Sequence, residues 1–199
     1  LRDALAVVER SGAVAPGWRV ICVNDGSGDD TLAVLLQARR LEPRIAVIDL
    51  SRNFGKEYAL TAGLDHADAD AVVVMDGDGQ HPPEMMGAMI AAWQEGNDVV
   101  YMVREARDVR GLHRLLRHLF YRLFSLASRT KLPAEAGDFR LMDRHVIAAI
   151  RQLPERTRFL KGIYSWVGFR QTGLVYREDA RMRGQSHWRL SRLIGFAMD

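Results

Sequence analysis

Cysteine is nearly absent from this sequence, which has Cys22 alone among 199 residues. A single cysteine excludes an intrachain disulfide framework and a cysteine-rich zinc site. Long apolar runs are absent too, because no stretch approaches the roughly 18 consecutive apolar residues that a membrane-spanning helix needs. The first ten residues are too charged for a secretory signal. These absences predict a soluble cytoplasmic chain, and a composition that is 48% hydrophobic and 27% charged is typical of a globular domain.

Lysine is also scarce, since only Lys56, Lys131 and Lys161 are found among the 28 basic residues. The charge is uneven: residues 1–103 hold 8 basic against 16 acidic side chains, whereas residues 104–199 hold 20 against 9. An acidic half suits a metal or another cation, and an arginine-rich half suits phosphate or an anionic surface. Solvated helix faces, with a codon bias toward arginine, remain an open alternative.

Hydrophobic periodicity predicts that strands and helices alternate along the first half of the chain. The predicted strands span 18–24, 44–50, 71–75 and 98–103, and the predicted helices span 1–10, 29–40, 56–67 and from the Pro82-Pro83 pair to about residue 95. This alternation predicts an α/β fold with a parallel sheet covered on both faces. Beyond residue 104 the pattern changes to a basic helix (111–130), a loop (131–137), a helix (144–152) and a strand (170–178).

Polar clusters fall where ligands bind in open parallel sheets, beyond the carboxyl ends of the strands. The first cluster spans residues 24–31 and contains Asp25, but it also reads as a simple turn and helix cap. In the second, Asp76 and Asp78 follow a buried strand at i and i+2, and Gln80 adds a further oxygen. Such oxygens suit Mg²⁺ or Mn²⁺. The alternative is a polar turn, although two carboxylates this close repel each other without a cation. His81 is interpreted as a structural loop residue rather than a ligand.

A third cluster, residues 137–142 together with residues 181–188, combines arginine with small residues. That composition is suited to binding phosphate through two parallel hydrogen bonds. Taken alone it is a weak signal, and ordinary surface arginines explain it better.

The order of these clusters resembles the family 2 glycosyltransferases with a GT-A fold, in the branch that transfers sugars to polyprenyl phosphates. Within that branch the sequence looks most like bactoprenol glucosyltransferases and less like dolichyl-phosphate mannose synthases. The matching motifs are VNDGSGDDT (23–31), LSRNFGKEYALTAGL (50–64), MDGDGQHPPE (75–84), GDFRLMDR (137–144), FLKGIYSWVGFRQ (159–171) and RMRGQSHW (181–188).

The resemblance implies a role for each matched position. Asp25 matches the aspartate that reads the nucleotide base, with Asn53, Gly55 and Lys56 in the loop beside the nucleotide. Asp76 matches the first carboxylate of the DxD motif, near the ribose and diphosphate, and Asp78 with Gln80 matches the metal ligands. The remaining matches are Arg140, Arg181 and Ser186, at positions associated with donor or acceptor phosphates. The attacking phosphate is already an anion and does not require a general base, and if one acts, Asp138 is the candidate.

The implied reaction is metal-dependent, inverting transfer of a hexose, with glucose favoured, from a nucleotide diphosphate sugar to a polyprenyl (undecaprenyl) phosphate. Residues 1–103 would bind the nucleotide sugar, and residues 104–199 would form the acceptor-binding, membrane-proximal half of the same domain. The implied partners are both substrates and the cytoplasmic face of the bacterial inner membrane, without nucleic acid, and a homo-oligomer stays open. The family's opening strand and C-terminal transmembrane helices have no counterpart here, and Asn24 and His187 stand where other members often have Asp and Lys.

Several alternatives remain open. Another donor, such as GDP-mannose or an amino sugar, would suit the same family. A haloacid-dehalogenase-type phosphatase also places Asp-x-Asp after a strand, but its first Asp is usually near the chain start and followed by Gly-Thr or Gly-Val. A nucleic-acid-binding module would use the arginine-rich half, although the acidic half disfavours it. The basic helix over 112–129 is predicted to lie on the membrane surface, and packing of its apolar face on the sheet is the alternative.

Overall fold

The computed structural model describes residues 17–104, 136–153 and 160–176. Six strands and five helices lie in these ranges. The strands are β1 (Val20–Asn24), β2 (Ile45–Asp49), β3 (Ala71–Val74), β4 (Val99–Arg104), β5 (Ala136–Asp143) and β6 (Gln171–Tyr176). The helices are α1 (Thr31–Leu41), α2 (Lys56–Asp65), α3 (Met85–Gln94), α4 (Arg144–Arg151) and α5 (Leu160–Trp166). The helices predicted over 1–10 and 111–130 lie outside the described residues.

The strands form two sheets. The first pairs β1 with β2 in parallel, and the second has the order β3-β5-β4-β6. Within the second sheet β5 is antiparallel to both neighbours, while β4 and β6 are parallel. The predicted α/β class is therefore confirmed, with β5 as the one reversed strand among those described.

The position of β5 corrects the sequence prediction. Residues 137–142 were expected in a polar cluster beyond a strand end, but they form a central strand of the larger sheet. Asp138 and Arg140 alternate with Phe139 and Leu141, which is typical of a strand, but their charges favoured interpretation as a polar site. Phe139 and Leu141 belong to the core on one side of the sheet, and Arg140 is buried on the other side.

Alternate residues of the central strands face opposite sides of the sheet, as strand geometry requires. On one side, Val99 and Met142 pack with residues of α2, α4 and α5. On the other side, Val100 and Leu141 pack with α3. Helices therefore cover both faces, as predicted.

Two smaller differences concern helices. The segment 160–166, which the sequence analysis left unassigned, forms α5. The helix expected to open at Pro82 and Pro83 begins at Met85, because the two proline carbonyls accept hydrogen bonds from Met85 and Met86 in a turn just before it. In the described ranges no helix has the length and apolarity required to cross a membrane.

Candidate active site

Four polar segments meet at one edge of the fold. They follow β1, β2 and β3 at their carboxyl ends and include the start of β5. Because β5 is antiparallel to β3, with Arg140 opposite Val74, its first residues lie beside the carboxyl end of β3. This topology brings together residues that are more than 60 positions apart in the sequence, such as Asp76 and Asp138.

Asp25 fastens the end of β1 to the loop that precedes α2. Its Oδ1 accepts a hydrogen bond from the Phe54 backbone N–H at 2.8 Å, and its Oδ2 accepts one from the Gly55 N–H at 2.9 Å. The neighbouring Asn24 is buried and donates from Nδ2 to Asp49 Oδ1 at 2.7 Å. The first polar cluster thus organises the loop after β2 as well as its own turn.

Gly26 permits this close approach of two backbones. Its φ of +61° lies in the left-handed region, which favours glycine. A Cβ at this position would lie 2.3 Å from the Arg52 carbonyl carbon and 2.4 Å from the Asn53 nitrogen. Any side chain would therefore push the loop that carries Asn53 away from the end of β1.

Lys56, the first residue of α2, joins two of the predicted site carboxylates. Its Nζ lies 2.7 Å from Asp76 Oδ1, 2.8 Å from Asp76 Oδ2 and 2.6 Å from Asp138 Oδ2. Burial lowers the pKa of the Lys56 ammonium, but hydrogen bonds with Asp138 and Asp76 outweigh that effect, and the net pKa is raised. Lys56 is therefore a fixed positive charge between the loop after β3 and the start of β5.

The loop after β3 carries the three predicted metal ligands. Asp78 Oδ1 accepts a hydrogen bond from the Gln80 backbone N–H at 3.0 Å, which folds the loop into a tight turn. The side chains of Asp76, Asp78 and Gln80 offer oxygen ligands, of the kind that Mg²⁺ and Mn²⁺ bind. Among the described residues no three His, Cys, Asp or Glu side chains converge as a metal site. Two carboxylates and an amide oxygen suit a cation that takes its remaining ligands from water and substrate, as Mg²⁺ usually does.

Arg140 lies in β5, two residues after Asp138, and is buried. Only 3% of it is exposed, and its guanidinium carbon lies 3.9 Å from the centre of the Tyr164 ring in α5. Its Nη2 donates to the Gly137 carbonyl at 2.7 Å, while within the described ranges the Arg140 Nε and the Tyr164 hydroxyl have no hydrogen-bond partner. Burial lowers the Arg140 pKa and raises that of Tyr164. Arg140 thus contacts an aromatic ring, and its predicted role toward phosphate stays a prediction.

The structure connects much of the predicted site. Direct contacts link Asp25, Gly55, Lys56, Asp76 and Asp138, and Asn53 is exposed beside Gly26. Arg181 and Ser186 lie outside the described residues. The sequence analysis did not single out Tyr164, nor Glu57, whose Oε2 accepts the Leu160 N–H at 3.1 Å. The motif FLKGIYSW contained Tyr164, but nothing in it indicated a partner in β5.

Comparisons with known proteins show which family the chain is similar to. The family model described as "Glycosyl transferase family 2" matches residues 2–151. An uncharacterized glycosyltransferase of Synechocystis is 44% identical over 92% of this chain and 58% of its own length. The bactoprenol glucosyl transferase of Shigella phage SfV is 40% identical over 90% of this chain and 59% of its own length. The chain thus spans about three fifths of these relatives.

The fold also resembles a solved structure. A mannosyltransferase from Pyrobaculum calidifontis, determined with GDP-Man and Mn²⁺, matches with a TM-score of 0.60 over 92% of this chain and 54% of that protein, at 17% identity. At that identity the likeness concerns the fold alone, and it confirms the predicted GT-A architecture.

Proposed function

The chain belongs to glycosyl transferase family 2, and from this premise we propose that it takes part in transferring a hexose from a nucleotide diphosphate sugar to a polyprenyl phosphate. The observation that carries the proposal is the bridge from Asp76 through Lys56 to Asp138. Asp76 belongs to the loop that we propose binds the diphosphate, and Asp138 belongs to the half that we propose binds the acceptor, so their common contact with Lys56 supports a shared site.

Residues 1–103 would bind the donor in this proposal. Asp25 holds the Phe54 and Gly55 backbone in place, and each of its carboxylate oxygens keeps a lone pair that a nucleotide base could use. The exposed Asn53 lies in the same loop. Donor recognition would therefore depend on Asp25, both directly and through the loop that it holds.

A divalent cation, Mg²⁺ or Mn²⁺, would be held by Asp78 and Gln80 together with Asp76. When bound, it would supply positive charge against the leaving diphosphate. Lys56 already balances part of the negative charge of Asp76 and Asp138. The remaining acidic character of the loop favours a cation there.

Residues 104–199 would bind the acceptor. A lipid phosphate is an anion near neutral pH, so it needs orientation by arginines more than it needs deprotonation. Arg181 and Ser186 are the proposed phosphate contacts, and Arg140 would support the start of β5 next to Asp138. If a base acts, Asp138 is our candidate, and its carboxylate is held by Lys56 at 2.6 Å. A single displacement of this kind inverts the anomeric carbon.

We favour UDP-glucose as the donor and undecaprenyl phosphate as the acceptor. The support is the 40% identity to a bactoprenol glucosyl transferase. Such an acceptor places the reaction at the cytoplasmic face of the bacterial inner membrane. The arginine-rich second half of the chain suits an anionic membrane surface.

The test is transfer of labelled sugar into an organic-soluble lipid by the full-length protein. We expect glucose to pass from UDP-glucose to undecaprenyl phosphate only when Mg²⁺ or Mn²⁺ is present, and UDP release to require the lipid. A competition in which GDP-mannose ranks clearly first would overturn the donor assignment. Phosphatase activity without any glycolipid product would overturn the proposed transferase activity.

A further inference from the structure

His81 lies inside the fold although it belongs to a polar loop. Only 5% of the residue is exposed. Its ring stacks on Phe139 of β5, with centroids 4.7 Å apart and planes 11° from parallel, and meets the edge of Tyr176 of β6 at 6.4 Å. The same two aromatic rings contact each other at 5.9 Å. The position of the imidazole is thus fixed by two strands of the larger sheet.

The imidazole also makes a directional hydrogen bond to the first carboxylate residue of the loop. Its Nδ1 lies 3.0 Å from the Asp76 backbone nitrogen, which donates the hydrogen. A backbone N–H can only donate, so Nδ1 must be the unprotonated, accepting nitrogen of the ring. The bond spans five residues and closes the loop that contains Asp76, Asp78 and Gln80.

We propose that His81 is a positioning residue for this loop, acting through its Nδ1 acceptor rather than through packing alone. The aromatic contacts fix the ring, the ring fixes the Asp76 backbone, and the Asp76 carboxylate then meets Lys56. The role in donor binding rests on the proposed function, whereas the hydrogen bond itself does not. Outer-shell partners of this kind orient the groups that hold a metal.

Two substitutions separate the acceptor from the packing. His81→Asn places an amide oxygen near the former Nδ1 but removes the ring, and His81→Phe keeps an aromatic ring for Phe139 and Tyr176 but has no acceptor. His66→Phe is the matched control, because His66 is exposed at the end of α2 and its Nδ1 contacts the Ala62 carbonyl of the same helix.

The first measurement needs no ligand. Hydrogen exchange of the Asp76 amide should be slow in the wild type and in His81→Asn, and fast in His81→Phe. A protected Asp76 amide in a folded His81→Phe protein would overturn the proposal. If His81→Phe does not fold, fast exchange in the wild type, or an Nδ1–H tautomer seen by ¹⁵N spectroscopy, would overturn it equally.

The second measurement is titration of UDP in the presence of Mn²⁺. We expect His81→Phe to bind about tenfold more weakly than the wild type and His81→Asn to recover much of that loss. In the transfer assay the donor KM should rise more than kcat falls. If His81→Phe and His81→Asn weaken UDP binding equally, His81 acts through packing alone and the proposal is wrong. A wild-type protein that binds no nucleotide would instead refute the proposed function, while the exchange result would still decide the role of His81.

Discussion

The ammonium of Lys56 lies 2.6 Å from Asp138, so the first turn of α2 is tied to the start of the reversed strand β5. The same ammonium contacts both carboxylate oxygens of Asp76. One positive charge therefore serves two carboxylates from different parts of the chain, and their combined charge stays negative. This arrangement keeps the donor and acceptor sides of the proposed site together and leaves the edge attractive to a cation.

We predict that Lys56 and Asp138 stabilise the fold jointly. Lys56→Gln and Asp138→Asn should each lower the free energy of unfolding, and the double variant should lower it by less than the sum. Because the Lys56 side chain is 46% exposed, we expect a coupling of only about 0.5–1 kcal/mol. Urea denaturation of the four proteins measures it, and added salt should reduce it. If the two changes in the free energy of unfolding simply add, the interaction between Lys56 and Asp138 contributes nothing to stability.

Gly26 provides a second prediction. Gly26→Ala should destabilise the fold by about 2 kcal/mol or more, because the new methyl group would overlap the backbone at Arg52 and the left-handed φ disfavours alanine. Gly28→Ala is the control, since a Cβ at Gly28 meets nothing within 4 Å. Thermal unfolding compares the two, and equal midpoints would contradict the close approach seen here.

Much of this fold could be predicted because the first half of the chain has simple periodicity. The run AVVVM is apolar throughout, as expected for a strand buried on both faces, and Ala71–Val74 forms β3. β5 was missed for a physical reason: Asp138 and Arg140 occupy the alternate positions that a buried strand usually fills with apolar residues. Arg140 is accommodated there because the ring of Tyr164 covers its guanidinium, and no local pattern reveals a partner in a distant helix.

In the candidate site, too, some features could be predicted from local sequence and others depend on contacts between distant elements. Strand ends and carboxylate spacing indicate Asp25, Asp76 and Asp78 from the sequence alone, because these features are local in sequence. The bridge from Lys56 to Asp76 and Asp138 depends on how α2, β3 and β5 meet, which is a property of the topology. The acceptor role of His81 also depends on the packing of two strands around its ring.

Asp78 allows a direct test of the proposed metal site. Asp78→Asn should weaken UDP binding in Mn²⁺ by more than about tenfold, since even the outer-shell partners of metal ligands commonly contribute that much. Binding of UDP without metal should hardly change, because Asp25 and its loop stay intact. Isothermal titration with and without Mn²⁺ measures both. Asp68→Asn, an exposed carboxylate before β3, is the control, and unchanged affinity in a folded Asp78→Asn protein would sink the assignment.

The basic segment 112–129, which lies outside the described residues, gives the last prediction, from its sequence alone. Apolar side chains recur there at helical spacing, at Leu112, Leu115, Leu116, Leu119, Phe120, Leu123 and Phe124. Replacing Arg114, Arg117 and Arg122 with glutamine should weaken binding to anionic liposomes roughly a hundredfold, since each basic side chain near such a surface contributes about 1 kcal/mol. UDP binding should be unaffected. The control replaces the exposed Arg19, Arg39 and Arg40 with glutamine and so removes the same net charge elsewhere. If the two triple variants bind liposomes equally at low salt, the segment has no special role at the membrane and the lipid must enter by another surface.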